Sequence, residues 1–220
     1  MSCCGAPGCE RIFDQKHAAR ELKKYRADGP IPTTRALIHA LLGAGVKDGT
    51  LLDIGGGVGA IQYALLGPAE GGGARSAVSV DASAAFETVA RAEAERNGMR
   101  GRIHYESGDF VEVAGRVPAA DIVTLDRVVC CYPHMEGLVR LSAQHCRRLY
   151  GLVYPRDRRL TRLVIRVQNF FRGLFRNPFR SYVHSVTRMD ALIRSMGFAL
   201  RSKTRTFVWE VAVYEMKTTS

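Results

Sequence analysis

The chain has 220 residues, 46% apolar and 24% charged, which is the size and balance of one α/β domain and excludes both wholesale disorder and a fibrous architecture. Its formal net charge of +11 favours anionic partners, whether small molecules, lipid headgroups or nucleic acid, without choosing among them. No apolar run is long enough to span a bilayer and no charged stretch followed by an apolar one marks a signal peptide, so a cytoplasmic protein is expected, with peripheral membrane contact left open.

Taken in chain order, Glu10 to Ala27 has the spacing of a polar helix with Phe13, Ala18, Leu22 and Tyr25 near one face, ended by Gly29-Pro30. A second helix is expected from Thr33-Thr34, whose hydroxyls suit an N-cap, with Leu37, Ile38, Leu41 and Leu42 on one side. The period then changes repeatedly. Leu51 to Ile54 is a buried-strand run, Val58 to Leu66 a helix, Ala77 to Val80 a strand, and Ser83 to Arg96 a helix closed by Gly98. Arg102 to Tyr105 and Asp121 to Leu125 are further strands, Met135 to Cys146 a helix, and Leu149 to Tyr154 a fifth strand. Alternation of this kind predicts a parallel sheet with right-handed crossovers. Two runs without a helix between them, Phe198 to Thr204 and Phe207 to Tyr214, predict a terminal antiparallel hairpin.

The strongest local signal is Leu51-Leu52-Asp53-Ile54-Gly55-Gly56-Gly57-Val58-Gly59, a hydrophobic strand running into glycines and then a helix. Glycine removes the Cβ that would block a close ligand and tolerates positive φ, while the helix start offers free N–H groups. Asp81 closes the next strand, where a carboxylate can accept both hydroxyls of a ribose. Together they indicate an adenosine-containing cofactor. A nicotinamide dinucleotide is the formal competitor, since Gly55, Gly57 and Ala60 can be forced onto its fingerprint. Against it stand the acid Asp53 ahead of the glycines, the missing second domain and the terminal hairpin.

With these residues in place, the chain resembles the class I S-adenosylmethionine-dependent methyltransferases, whose first motif is an acid followed by alternate glycines, as in Asp53, Gly55, Gly57 and Gly59. Nearly the whole chain is covered. The resemblance implies S-adenosylmethionine as cofactor, ribose on Asp81 with Ala82 beside it, adenine against Gly108, Asp109 and Phe110, and a methyl-transfer site lined by Asp126 and Arg127. More narrowly, Phe13-Asp14 to Tyr25, Asp126 to Pro133 and the basic stretch after Tyr154-Pro155-Arg156 resemble the magnesium-protoporphyrin O-methyltransferase branch. The implied fold is a Rossmann-like, doubly wound seven-stranded sheet, mostly parallel with a C-terminal antiparallel hairpin. It forms a single domain over 1–220, with residues 1–45 as a lid of two helices and 46–220 as the core. On the lid, Tyr25 and Arg26 are expected at the methionine end, Arg26 pairing with its carboxylate.

Two residues after the fourth strand, Tyr132 and His134, are candidates to orient or deprotonate the acceptor, His134 being favoured because imidazole titrates near neutrality. The other histidines, at 17, 39, 104, 145 and 184, show no metal-ligand spacing and are expected as surface or core residues, and no metal is expected. Cysteines 3, 4, 9, 130, 131 and 146 lack a disulfide framework and are taken as ordinary thiols. Between 156 and 180, eight arginines surround an apolar stripe at helical spacing. The stripe has three readings: it packs on the sheet with arginines outward, caps the site over an acidic substrate, or lies on an anionic membrane. The expected acceptor is a small, anionic or amphipathic molecule, oxygen favoured over nitrogen, with RNA ranked below it and the protein a monomer or homodimer.

Overall fold

A computed structural model describes residues 13–68, 71–177 and 179–217. Helix α1 (Gln15–Asp28) is capped by Asp14, which accepts from His17 N, and α2 (Pro32–Leu42) follows. The alternating core runs β1 (Thr50–Ile54), α3 (Ala60–Leu66), β2 (Ser76–Asp81), α4 (Ala84–Arg96), β3 (Ile103–Ser107), the short α5 (Phe110–Val113), β4 (Ala120–Asp126), α6 (Met135–Gln144) and β5 (Cys146–Pro155). Helices α7 (Arg159–Leu174) and α8 (Val186–Ser195) then lead to β6 (Phe198–Arg205) and β7 (Trp209–Met216).

The seven strands lie in the order β3-β2-β1-β4-β5-β7-β6. Pairings are parallel from β3 to β5, while β7 runs antiparallel to both β5 and β6, as the sequence implied. Strand side chains alternate between the faces, so each strand feeds two cores. Leu51, Ile122, Val153 and Val213 point to one, packed by α2, α3 and α4, and Leu52, Leu125, Tyr150 and Tyr214 to the other, packed by α5, α6 and α8. Glu210 of β7 locks the hairpin to β5, accepting from Tyr154 Oη at 2.8 Å, Arg205 Nε at 2.8 Å and Lys203 Nζ at 3.0 Å.

Several local expectations are corrected. Thr33 and Thr34 do not cap α2: Ile31 holds the N-cap position without a side-chain bond, Pro32 supplies the first turn, and both threonines are buried. Helix α2 is not part of a lid, because Leu37, Ile38 and Leu41 are sealed beneath β5 and β7. Helix α8 went unrecognised in the sequence, although Met189 and Ile193 bury its inner face. The apolar stripe of α7 does not pack on the sheet: Thr161 is the one buried residue of that helix, and α7 belongs to neither core.

Two leucines therefore have opposite worth. Leu37→Ala is expected to cost about 2–5 kcal/mol, because it leaves a cavity in a closed core, whereas Leu163→Ala at a 57% exposed position costs under about 0.5 kcal/mol. Urea unfolding midpoints of the two variants check the contrast.

Candidate active site

From β1 the chain proceeds outward through β2 and β3, then returns to start the other half at β4, so the strand order reverses between β1 and β4. Ligand crevices of open α/β sheets form at the carboxyl ends of strands beside such a reversal. Here it opens into a cavity of about 760 Å³ bordered by the ends of all four central strands, at Ile54, Asp81, Asp126 and Pro155.

The turn after β1 is stripped of side chains for physical reasons. A Cβ on Gly55, which has φ of 68°, would collide with Val128, and one on Gly56 would strike Gln62 and Ser79. Gly57 has φ of 55° and sends its N–H to Asp81 Oδ2 at 3.0 Å. Asp81 Oδ1 accepts from Ser83 N at 2.9 Å, so the carboxylate is held from two sides at the cavity wall with Ala82 beside it. Gly59 closes the turn at φ of 88° against the Tyr63 ring. Gly56, which the alternate-glycine motif passes over, is as sterically constrained as its neighbours.

Across the cavity, Gly108, Asp109 and Phe110 form a second wall. Asp109 caps α5 by accepting from Val111 N at 2.9 Å, and the Tyr132 hydroxyl donates to the same Oδ1. Tyr132 lines the cavity, as expected of a residue after the fourth strand, and its hydroxyl steadies the Asp109 wall there. At the end of β4, Asp126 accepts from the Thr34 hydroxyl and pairs with Arg127 Nε at 3.3 Å. Cys130 and Cys131 also border the cavity, and both thiols donate to the Arg127 carbonyl. A hydrogen bond from Cys131, aided by the Arg127 charge, holds the Cys130 thiol below its ordinary range despite burial. Cys3, Cys4 and Cys9 lie outside the described residues.

Three further sequence candidates fall elsewhere. His134 occupies the N-cap position of α6, exposed and away from the cavity lining. Arg26 donates to Glu93 through Nε at 2.9 Å, and with Tyr25 it borders a separate depression with Gly29 and Pro30. Helix packing explains this: α1 lies against α4, so the face carrying Arg26 meets the buried Glu93. The opposite face of α1 presents His17 and Glu21 to the cavity, and Phe13, just ahead of the helix, joins them. His17, expected as an ordinary surface or core residue, instead sits edge-on to Phe13 and Phe86, with ring centroids 5.8 Å away in each case. Phe13 stands just ahead of the Asp14 cap, so its meeting with His17 comes from the way the chain enters the helix rather than from the helical period.

Helix α7 roofs the cavity with Leu160, Thr161, Val164, Ile165, Gln168 and Arg172, and Arg158, Phe207 and Trp209 complete the rim. The roof is stitched down by the segment after it. Tyr182 N donates to the Cys130 carbonyl at 2.8 Å, and His184 Nε2 donates to the Tyr132 carbonyl at 2.8 Å. Burial lowers the His184 pKa, keeping that imidazole neutral as a clamp.

An open sheet with this strand order, an antiparallel β7 and a glycine turn after β1 is the Rossmann-like methyltransferase fold. Magnesium protoporphyrin IX methyltransferase from Synechocystis PCC 6803 with bound S-adenosylhomocysteine is similar at a TM-score of 0.70 and 18% identity, over 94% of this chain and 97% of that one. An O-methyltransferase family protein from Burkholderia thailandensis gives 0.69 and 14%, over 95% of this chain and 64% of that one. Human N-acetylserotonin methyltransferase with S-adenosylmethionine gives 0.65 and 16%, over 97% and 60%. No protein-family model and no curated sequence matches the chain.

The acid ahead of the turn has its own signature. Asp53, 1% exposed, accepts from Thr124 Oγ1 at 2.7 Å and Gln62 Nε2 at 3.0 Å. Burial nevertheless raises its pKa to about 6, with Asp126 and Asp81 adding to the shift. The native state therefore holds this proton more tightly than the unfolded chain. Stability from this group is present below about pH 3.8 and is lost as pH rises through about 6. Asp53→Asn should remove a slope worth roughly 3 kcal/mol over that window. The Gln62 amide can turn over so that its Oε1, unpartnered among the described residues, accepts from the introduced amide. Denaturant melts of both proteins across the window read the difference.

Proposed function

We propose that this protein is an S-adenosylmethionine-dependent methyltransferase acting on a small amphipathic anion, with an oxygen acceptor favoured. The observation that carries the reading is the joined pair of Gly57 and Asp81: bare backbone and an oriented carboxylate share one cavity wall at the strand-order reversal. This arrangement fits an adenosyl group, because Gly55, Gly56 and Gly57 present backbone without side chains to the cavity and an acid stands where a sugar diol needs acceptors.

When bound, the sulfonium supplies an activated methyl group for in-line displacement by the acceptor. The chain's own groups do the rest. Asp81 would take the ribose hydroxyls, and Asp109, fixed by Tyr132, would border the adenine with Phe110. Asp126, steadied by Thr34 and Arg127 at the cavity wall, would border the methyl-transfer position. Positioning supplies most of the acceleration, since a thioether leaves without an acid. For a hydroxyl acceptor the proton must go somewhere, and His17, the imidazole that lines the cavity, takes that role in place of His134 by releasing the Arg20 guanidinium, which donates to its Nδ1 at 3.0 Å, and accepting the proton on that nitrogen. A carboxylate acceptor needs no base. The acceptor class follows from the roof: Leu160, Val164 and Ile165 offer an apolar surface, while Arg158 and Arg172 offer cations for acidic groups.

Calorimetry should show binding of both S-adenosylmethionine and S-adenosylhomocysteine, weakened at least about tenfold in Asp81→Ala. Binding of a nicotinamide dinucleotide in place of both would overturn the reading. With an acceptor in hand, His17→Gln should slow methylation of a hydroxyl by about a hundredfold and of a carboxylate far less; equal rates on both would remove His17 from proton transfer.

A further inference from the structure

Helix α7 is amphipathic the wrong way round for a packed helix. Apart from Leu160, Val164 and Ile165 at the cavity, its inward side carries the polar anchors: Asn169 exchanges hydrogen bonds with the Ser181 backbone at 2.7 and 3.0 Å, and Arg172 donates to Ser181 Oγ at 2.8 Å while lying over the Phe179 ring. The apolar side faces outward. Leu163, Val167, Phe170 and Leu174 follow one another at intervals of four, three and four residues, so they form a single stripe, and Phe171 and Phe175 extend it. Phe170, Leu174 and Phe175 are 69%, 65% and 77% exposed. A contiguous patch of this kind on a soluble surface marks a docking site.

The charges beside the stripe choose the occupant. Arg159, Arg162 and Arg166 line one flank, three or four residues apart, and Arg176 and Arg180 follow the helix. Among the described residues the one ion pair on α7 is Arg162 with Asp157, at 2.7 Å. A second copy docked by a two-fold axis would bring this row of cations close to its own equivalent, which repels. A nucleic acid would satisfy the arginines but leave leucine and phenylalanine in water. A bilayer carrying anionic phospholipid satisfies both, with headgroup phosphates for the arginines and the acyl boundary for the stripe.

We propose that α7 is an interfacial anchor that docks the protein on an anionic phospholipid surface. Leu160 and Val164 are exposed on the same helix and also line the cavity, as does the 72% exposed Phe207, so the docked face borders the cavity mouth. An amphipathic acceptor dissolved in the bilayer then enters without crossing bulk water. This delivery step rests on the methyltransferase reading; the docking does not.

Cosedimentation of the full chain with vesicles tests the anchor. Vesicles of phosphatidylcholine and phosphatidylglycerol in equal amounts should bind at least about tenfold more protein than phosphatidylcholine alone, with the excess falling as salt rises. The double variant Phe170→Glu/Phe171→Glu should lose this binding while keeping its circular dichroism spectrum and its S-adenosylmethionine affinity, since neither residue lines the cavity. No excess on phosphatidylglycerol, or undiminished binding by a folded double variant, overturns the anchor. So does sedimentation velocity that finds a dimer which the double variant converts to monomer. Vesicle binding without any S-adenosylmethionine uptake would instead leave the anchor standing and remove the enzyme class.

Discussion

The hydrogen bond from Gly57 N–H to the Asp81 carboxylate spans the tips of two neighbouring parallel strands, and the organisation of the crevice depends on it. It requires a turn with positive φ directly after β1, hence glycine, and an acid at the last position of β2. It also requires that β1 and β2 end level with one another, which the register achieves by pairing Ile54 with Val80. Behind this pair, Asp53 is clamped between Thr124 on one neighbouring strand and Gln62 on α3. A carboxylate there is costly in the protonation sense, as its raised pKa records. In exchange, the base of the glycine turn is bonded to β4 and α3 together, and the crevice floor is stiff before any ligand arrives.

The frame of the molecule was legible because its signals are local and redundant. Alternating periods located the five parallel strands, and the two final apolar runs lacking a helix between them located the hairpin. The glycines and Asp81 were legible because few side chains satisfy such tight steric and hydrogen-bonding demands. What remained hidden depends on direction in space. The stripe of α7 is plain from its spacing, but periodicity does not say whether a stripe faces core or solvent, and here it faces solvent. Arg26 and His17 share a helix, and only the packing of α1 on α4 determines that one meets Glu93 and the other the cavity. Thr34 resembled a helix cap because threonine often is one; Pro32 began the helix sooner and left its hydroxyl to Asp126.

The roof and the floor of the crevice are held by different means. The floor is part of the two cores. The roof is α7, which contributes to neither core and is retained by backbone and polar bonds through Asn169, Arg172, Tyr182 and His184. Elements secured by few apolar contacts are those that open at the lowest free energy. The same polar attachment that leaves the greasy side of α7 outward therefore also makes it the element best suited to move when ligands enter.

Trp209, at the start of β7, is the sole tryptophan of the chain and borders the crevice beside Phe207 and Val208. Indole emission from this protein consequently originates at one address, near the roof, free of background from other tryptophans. Its colour and quenching follow local wetting there, giving a label-free optical view of how the roof and its contents change.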